Sequence, residues 1–186
     1  MTLGIAYADD KAIYLAIEHC GLPAIGPREF GLQSSQIGSK AIVLQRNPEV
    51  AVLLAGGLTH WAYVINKYLP QKAVYEAAAE LARLLDQCMQ EHNCAFGLVC
   101  GYEKGNPACF RVERDVNNKH TEICQGEIKN QPQFVGSNVS DPAGSVDSKI
   151  LNGSRPPDAI MTTIRDRLDG KILVGPIDEM VIRKGN

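Results

Sequence analysis

Short blocks of apolar residues, separated by polar turns, fill the first third of the chain. The segments "TLGIAYA" and "AIYLAIEHCG" surround the polar residues Asp9 to Lys11, and "SKAIVLQ" and "EVAVLLAGG" surround the turn "RNP". Runs of this length that are rich in β-branched and aromatic residues, and bounded by turn residues, are typical of strands. The pattern therefore predicts two hairpins.

The apolar spacing then changes to that of helices. Residues 72–93, "KAVYEAAAELARLLDQCMQEHN", combine strong helix formers with apolar residues at a 3.6-residue period. The preceding segment "LTHWAYVINKYL" has the same spacing and stops at Pro70. Two consecutive helices are predicted here. A third hairpin follows, formed by "CAFGLVCGY" and "ACFRVER".

The last third of the chain is less regular. A polar connection after the third hairpin holds a short strand, and the loop-like segment "FVGSNVSDPAGSVDSKILNGSRPP" holds one short helix. The segment "DAIMTTIRDRL" follows two prolines and is predicted to be helical. One or two strands close the chain. Strands and helices that come in blocks favour antiparallel sheets, and the order predicts a layered α+β sandwich.

Length and charge limit the class of protein. The chain has 186 residues and a formal net charge of −2, so we expect one domain over residues 1–186 and no general affinity for nucleic acid or anionic membrane. The sequence has neither an apolar run long enough to span a bilayer nor the features of a signal peptide. We expect a cytoplasmic protein.

The six cysteines form no C-x-x-C pair, which argues against a zinc knuckle or a dithiol redox motif. In a reducing compartment we expect buried thiols that pack as small apolar residues. Cys100 and Cys109 flank the turn "EKGNP" almost symmetrically, so they are predicted to face each other across a hairpin. The others are Cys20, Cys88, Cys94 and Cys124.

Thr2 is the first candidate for chemistry. An aminopeptidase that removes an initiator Met before a small residue would leave the Thr2 hydroxyl beside a free α-amine. This amine has an ordinary pKa of about 8, so it can act as a general base near neutral pH. A threonine activated by its own amine is a recognised nucleophile.

Three further positions complete the candidate site. A three-residue turn from Asp9 to Lys11 would place Glu18 opposite Thr2, and Lys40 at the start of the third strand would balance this carboxylate. Gly56, in "LLAGGLTHW", lies where a strand ends and a helix is predicted to begin. Backbone N–H groups at such a junction favour developing negative charge, as in an oxyanion hole.

The order of these segments resembles a known family. Thr2, "AIEHCG", "GSKAIVL", "VAVLLAGGLTHWAYVI", the long helix and "FGLVCGYEKGNPACFRVE" are similar to proteasome β-type subunits and the related bacterial peptidases. The resemblance implies the N-terminal nucleophile hydrolase fold, a four-layer αββα sandwich of two antiparallel sheets between helical layers. It also implies a self-compartmentalising threonine peptidase.

The resemblance gives the candidate residues their roles. Thr2 would be the nucleophile and its amine the base, Glu18 the acidic partner of Lys40, and Gly56 the oxyanion donor. Ser137, in "VGSN", would contact the amine. A small apolar substrate pocket would be shaped by Gly21, Gly38, Ile42 and Leu54.

The same resemblance implies the partners. They would be further copies of the chain in stacked homo-oligomeric rings, a peptide or unfolded-protein substrate, and an ATP-driven unfoldase. No metal or other cofactor is expected. Two other functions remain open: a catalytically silent structural or peptide-binding subunit of the same fold, and an amidase of the superfamily that acts on a small molecule.

Overall fold

The chain folds into two antiparallel sheets and three helices over the part that the structure describes. The computed structural model describes residues 3–18, 41–46, 49–56, 73–88, 95–114, 120–136, 142–168 and 177–184. The strands are β1 (Leu3–Ala8), β2 (Ala12–Glu18), β3 (Ala41–Arg46), β4 (Glu49–Gly56), β5 (Ala95–Glu103), β6 (Asn106–Arg114), β7 (Glu122–Gly126), β8 (Gln133–Gly136) and β9 (Ile177–Arg183). The helices are α1 (Val74–Cys88), α2 (Pro142–Leu151) and α3 (Pro156–Leu168).

Both sheets are antiparallel throughout. The first sheet has the order β8-β1-β2-β9, and the second has the order β3-β4-β5-β6-β7. The three predicted hairpins are confirmed as β1–β2, β3–β4 and β5–β6. Cys100 and Cys109 are directly opposed in β5 and β6, as the sequence predicts.

The predicted register of the first hairpin is wrong by one residue. Gly4 pairs with Ile17 and Ala8 pairs with Ile13, and this register places Leu3, not Thr2, opposite Glu18. The reason lies in the turn. The Asp9 carboxylate accepts hydrogen bonds from the backbone N–H groups of Lys11 and Ala12, at 2.7 and 2.9 Å, and the Asp9 N–H donates to the Ala12 carbonyl at 3.1 Å. Asp9 is therefore a paired end of a tighter turn.

Three apolar clusters fill the spaces between the sheets and the helices. The middle cluster joins the inner faces of the two sheets and includes Ile13, Leu15, Leu53 and Leu98. One outer cluster lies between the second sheet and α1, and the other joins the first sheet to α2 and α3. Alternate residues of each central strand thus enter different clusters, which explains why these strands are nearly continuously apolar. The packing is compatible with a sandwich.

Two glycines let α1 approach β5 closely. A Cβ atom at Gly97 would lie 2.9 Å from the Leu81 Cδ2 atom, and one at Gly101 would lie 2.9 Å from the Val74 Cγ2 atom. Both distances are shorter than a carbon–carbon contact allows. The helix predicted over residues 72–93 is confirmed over its described part as α1. The helix predicted for "LTHWAYVINKYL" lies outside the described residues.

The remaining elements also follow their predictions in part. The polar connection contains β7, the loop-like region contains α2, and α3 begins with the two prolines. The strand β8, which pairs with β1, comes from a segment predicted to be loop. Across the described ranges, every helix is too short or too polar to cross a bilayer.

Candidate functional site

Two hairpin turns mark one end of the sheets. The β1–β2 turn begins at Asp9, and the β5–β6 turn contains Gly105, where a Cβ atom would lie 3.6 Å from the Lys184 Cε atom. Lys184 directly follows β9, whose Arg183 pairs with Ala12 beside the first turn. Both turns therefore lie at the same end, which we call the turn edge.

The opposite end, which we call the site edge, follows from the strand directions. Gly56 pairs with Ala95, at the end of β5 far from the β5–β6 turn. Ala41 pairs with Leu53, so β3 begins near this end. In the first sheet, β1 begins here with Leu3, which pairs with the last residue of β8, Gly136. Five strands, β1, β3, β4, β5 and β8, thus begin or end at one edge of the two sheets, and β2 adds a sixth.

Glu18 is the candidate acid at this edge. It is the last residue of β2, it pairs with Ile177 of β9, and its exposed fraction is 0%. Neighbouring core residues at this end of the first sheet are apolar: Leu3, Ala16 and Ile17 are all buried. A carboxylate in such surroundings is costly unless a charge or hydrogen bonds stabilise its ionised form. This burial makes Glu18 unlike an ordinary solvated strand residue.

Gly56 ends β4 at the same edge. Within the described ranges, β4 extends three residues past Leu53, its last pair with β3, while β5 remains paired up to Gly56. Of the predicted pocket residues, Leu54 has an exposed fraction of 0% and Ile42 of 9%. Both belong to the cluster beneath α1. Their contribution to a substrate pocket stays a prediction.

Five of the predicted site residues lie outside the described residues: Thr2, Gly21, Gly38, Lys40 and Ser137. Their proposed contacts with Glu18 and Gly56 stay predictions. The described chain neighbours of three of them, Leu3 beside Thr2, Ala41 beside Lys40 and Gly136 beside Ser137, all lie at the site edge.

The turn edge has a polar cluster that the sequence did not predict. The Tyr14 hydroxyl donates to the second Asp9 carboxylate oxygen at 3.2 Å, and the Tyr7 hydroxyl donates to the Asn130 side-chain oxygen at 3.3 Å. Burial, and secondly the Asp9 charge, raise the pKa of Tyr7, of Tyr14 and of Tyr102. The contact between Asn130 and Tyr7 could not be predicted, because the two residues are distant in sequence. The one local indication of this cluster is Asp9, an aspartate at a turn. In the described ranges, no three His, Cys, Asp or Glu residues are grouped so that they could hold a metal ion.

Comparisons with known proteins add no family. None of the models of known protein families matches the chain, and a search of curated proteins gives no significant match.

Proposed function

We propose that the chain is a cytoplasmic threonine peptidase subunit with the N-terminal nucleophile hydrolase fold, of the proteasome β type. The observation that carries this proposal is the convergence at the site edge. Two candidate residues, Glu18 and Gly56, lie at this edge, as do the direct chain neighbours of Thr2, Lys40 and Ser137. Leu3, Glu18, Ala41, Gly56 and Gly136 belong to five separate strands, and each of them either is a candidate residue or directly adjoins one in the sequence.

In this proposal the first step is activation of Thr2. After removal of Met1, the Thr2 α-amine accepts the proton of the Thr2 hydroxyl, and the oxygen attacks the carbonyl carbon of a peptide bond. The Lys40 ammonium stabilises the negative charge that develops on the Thr2 oxygen as it loses its proton. The buried Glu18 carboxylate holds this ammonium in place. A buried carboxylate suits this role because a charge at low dielectric interacts strongly with its partner.

The second step is stabilisation of the tetrahedral intermediate. The backbone N–H of Gly56 donates to the oxyanion. The amine then passes its proton to the leaving nitrogen, which leaves an ester between Thr2 and the acyl part of the substrate. Water, activated by the same amine, hydrolyses this ester. Ser137 orients the amine through both steps.

Processing and substitution of Thr2 test the proposal. The chain with Met1 removed, confirmed by intact mass, should hydrolyse a fluorogenic peptide with a small apolar residue before the scissile bond. Thr2→Ala should abolish hydrolysis, while Thr2→Ser should retain part of it. A chain that keeps Met1 should be inactive because its amine is displaced from Thr2. Equal hydrolysis by the processed and unprocessed chains would refute the role of the amine.

Light scattering completes the test. The proposal includes assembly into two stacked homo-oligomeric rings. These rings would degrade unfolded protein that an ATP-driven unfoldase delivers. A chain that is monomeric at micromolar concentration would contradict the proposed assembly. An assembled, processed chain that neither cleaves peptides nor is acylated at Thr2 by an electrophilic peptide would instead be a silent subunit. Hydrolysis of a small amide, but of no peptide, would identify an amidase.

A further inference from the structure

Cys100 and Cys109 form a pair of thiols in the core between the two sheets. They occupy directly opposed positions in β5 and β6, and each has an exposed fraction of 0%. The Cys100 thiol donates to the Cys109 sulfur at 3.2 Å. Nothing in the proposed hydrolysis uses these thiols, since Cys100 lies five residues along β5 from the site-edge residue Ala95.

We propose that Cys100 and Cys109 are an oxidisable pair, which closes as a cross-strand disulfide inside the core. Directly opposed residues of an antiparallel pair have Cα atoms about 4.5 or 5.5 Å apart. Disulfides span Cα distances of about 4.4–6.8 Å, so either kind of pair is compatible. The sulfur atoms must approach by about 1.2 Å to reach the bond length of about 2.05 Å. A rotation of each side chain supplies this without a shift of register.

The oxidant is a small-molecule disulfide. The thiolate of one cysteine attacks a sulfur of the oxidant, forms a mixed disulfide and releases one small thiol. The thiolate of the second cysteine then attacks the protein sulfur of this mixed disulfide, and the second small thiol leaves. The two protein thiols lose two protons and two electrons, and the oxidant becomes two thiols. Excess reduced small thiol reverses both steps.

Burial sets the rate of this reaction. The closed core excludes the oxidant, and burial together with the hydrogen bond to Cys109 raises the pKa of the Cys100 thiol well above its usual range, so its reactive thiolate is scarce. Closure should therefore require the hairpin to separate from the opposite sheet, either during folding or by local opening. Once formed and buried again, the bond should be protected from reductants of the same size.

The experiment oxidises the full chain with oxidised glutathione, during refolding and in the folded state. Remaining thiols are alkylated in denaturant and the digested chain is analysed by mass spectrometry. Cleavage after Lys104 separates the two cysteines, and cleavage after Phe96 separates Cys100 from Cys94. We expect refolded protein to contain the Cys100–Cys109 linked peptides, lighter by two hydrogen atoms than the thiols. In folded protein, urea below the unfolding transition should accelerate closure several-fold.

Two variants provide matched controls. Cys109→Ala should leave Cys100 alkylated and should remove the linked peptides. Cys124→Ala, at a cysteine exposed on β7, should leave the cross-link unchanged. The proposal is overturned if Cys100 and Cys109 stay fully alkylated after refolding with the oxidant, or if either one is linked chiefly to another cysteine. Closure in the folded chain as fast as closure during refolding would overturn the role of burial.

Discussion

Glu103 and Arg114, from opposite ends of the β5–β6 hairpin, bind opposite ends of α1. A Glu103 carboxylate oxygen accepts a hydrogen bond from the Tyr75 backbone N–H at 2.8 Å, in the first turn of the helix. The Arg114 guanidinium donates to the Leu85 carbonyl at 3.0 Å, in the last turn. Each charge has the sign that the helix dipole favours at its end, and each satisfies a backbone group that the helix leaves unpaired.

Removal of the Glu103 side chain should weaken the start of α1. Glu103→Ala should lower the free energy of unfolding by about 1 kcal/mol, which is the usual cost of losing a helix cap. Glu103→Gln, which keeps an oxygen acceptor but loses the charge, should cost less. Urea denaturation measures both. Glu127→Ala, at an exposed loop position, is the control, and an equal loss for Glu127→Ala would contradict the capping role.

Substitution of Arg114 should lower the free energy of unfolding more than substitution of Glu103, because only 8% of Arg114 is exposed. It also contacts Asp86 at 3.3 Å, and the same Asp86 oxygen accepts hydrogen bonds from the Thr121 N–H and hydroxyl, at 2.8 and 2.7 Å. Arg114→Met should cost about 1–3 kcal/mol, since it leaves a buried carbonyl unsatisfied.

A double-mutant cycle with Asp86→Ala tests whether this group acts as a unit. The coupling energy should be at least about 0.5 kcal/mol, as for residues in one hydrogen-bond network. Additive effects would show that Arg114 stabilises the helix end without Asp86. Arg155→Met, which removes a mostly exposed ion pair with Asp158, serves as the control for loss of a surface guanidinium.

The turn-edge cluster predicts a change in alkaline stability. Burial first, and then the Asp9 charge and hydrogen bond, raise the pKa of Tyr14 above its ordinary value of 10.0. The neutral phenol therefore stabilises the folded chain fully below pH 10.0, and this contribution is lost as the pH rises through the folded-state pKa. Asp9→Asn should lower the pKa of Tyr14 and weaken this pH dependence.

Absorbance of tyrosinate and urea denaturation at several alkaline pH values measure this effect. Asp10→Asn is the control, because the Asp10 carboxylate pairs with Lys129 at 2.8 Å and is mostly exposed. It should leave the tyrosine titration nearly unchanged. If both variants shift the tyrosine titration equally, the shift reflects the net charge of the protein and not the contact with Asp9. That result would contradict the role assigned to Asp9.

The proposed site predicts unequal losses of activity. Lys40→Ala should reduce kcat/KM nearly as much as Thr2→Ala, because residues that act as one unit lose function together. Glu18→Ala should be less damaging, since its role is to hold Lys40. Peptide hydrolysis by the processed chain measures these effects. Lys11→Ala, at the exposed turn edge, is the control; a Lys40 variant as active as the Lys11 variant would contradict the mechanism.

Much of the fold could be predicted from the sequence because its signals are local. The short apolar runs that form β1 to β6 and the 3.6-residue period of α1 depend on near neighbours. The register of the first hairpin could not be predicted, because it depends on which atoms of Asp9 close the turn. The pairing of β8 with β1 is equally hidden, since the short segment "QFVG" gains its strand structure from a partner more than a hundred residues away.

The candidate site was less predictable than the fold. A hairpin places the end of β2 beside the start of β1, but local sequence signals do not place Gly56 of the second sheet at the same edge as Glu18 of the first. The burial of Glu18 depends on β9, which comes from the far end of the chain. By contrast, the pairing of Cys100 with Cys109 could be predicted, because the turn between them is short and the two cysteines lie at nearly equal distances from it.

The helix and the hairpin that binds both of its ends occupy one continuous stretch of chain, residues 73–114. The contacts between the helix and the hairpin join residues that are close in sequence. The loop-closure entropy lost when this stretch assembles is therefore small. The first sheet, in contrast, must bring β8 beside β1 and β9 beside β2 from distant parts of the sequence. We therefore expect amide hydrogens of α1, β5 and β6 to be protected early in refolding, and those of β8 and β9 to gain protection last.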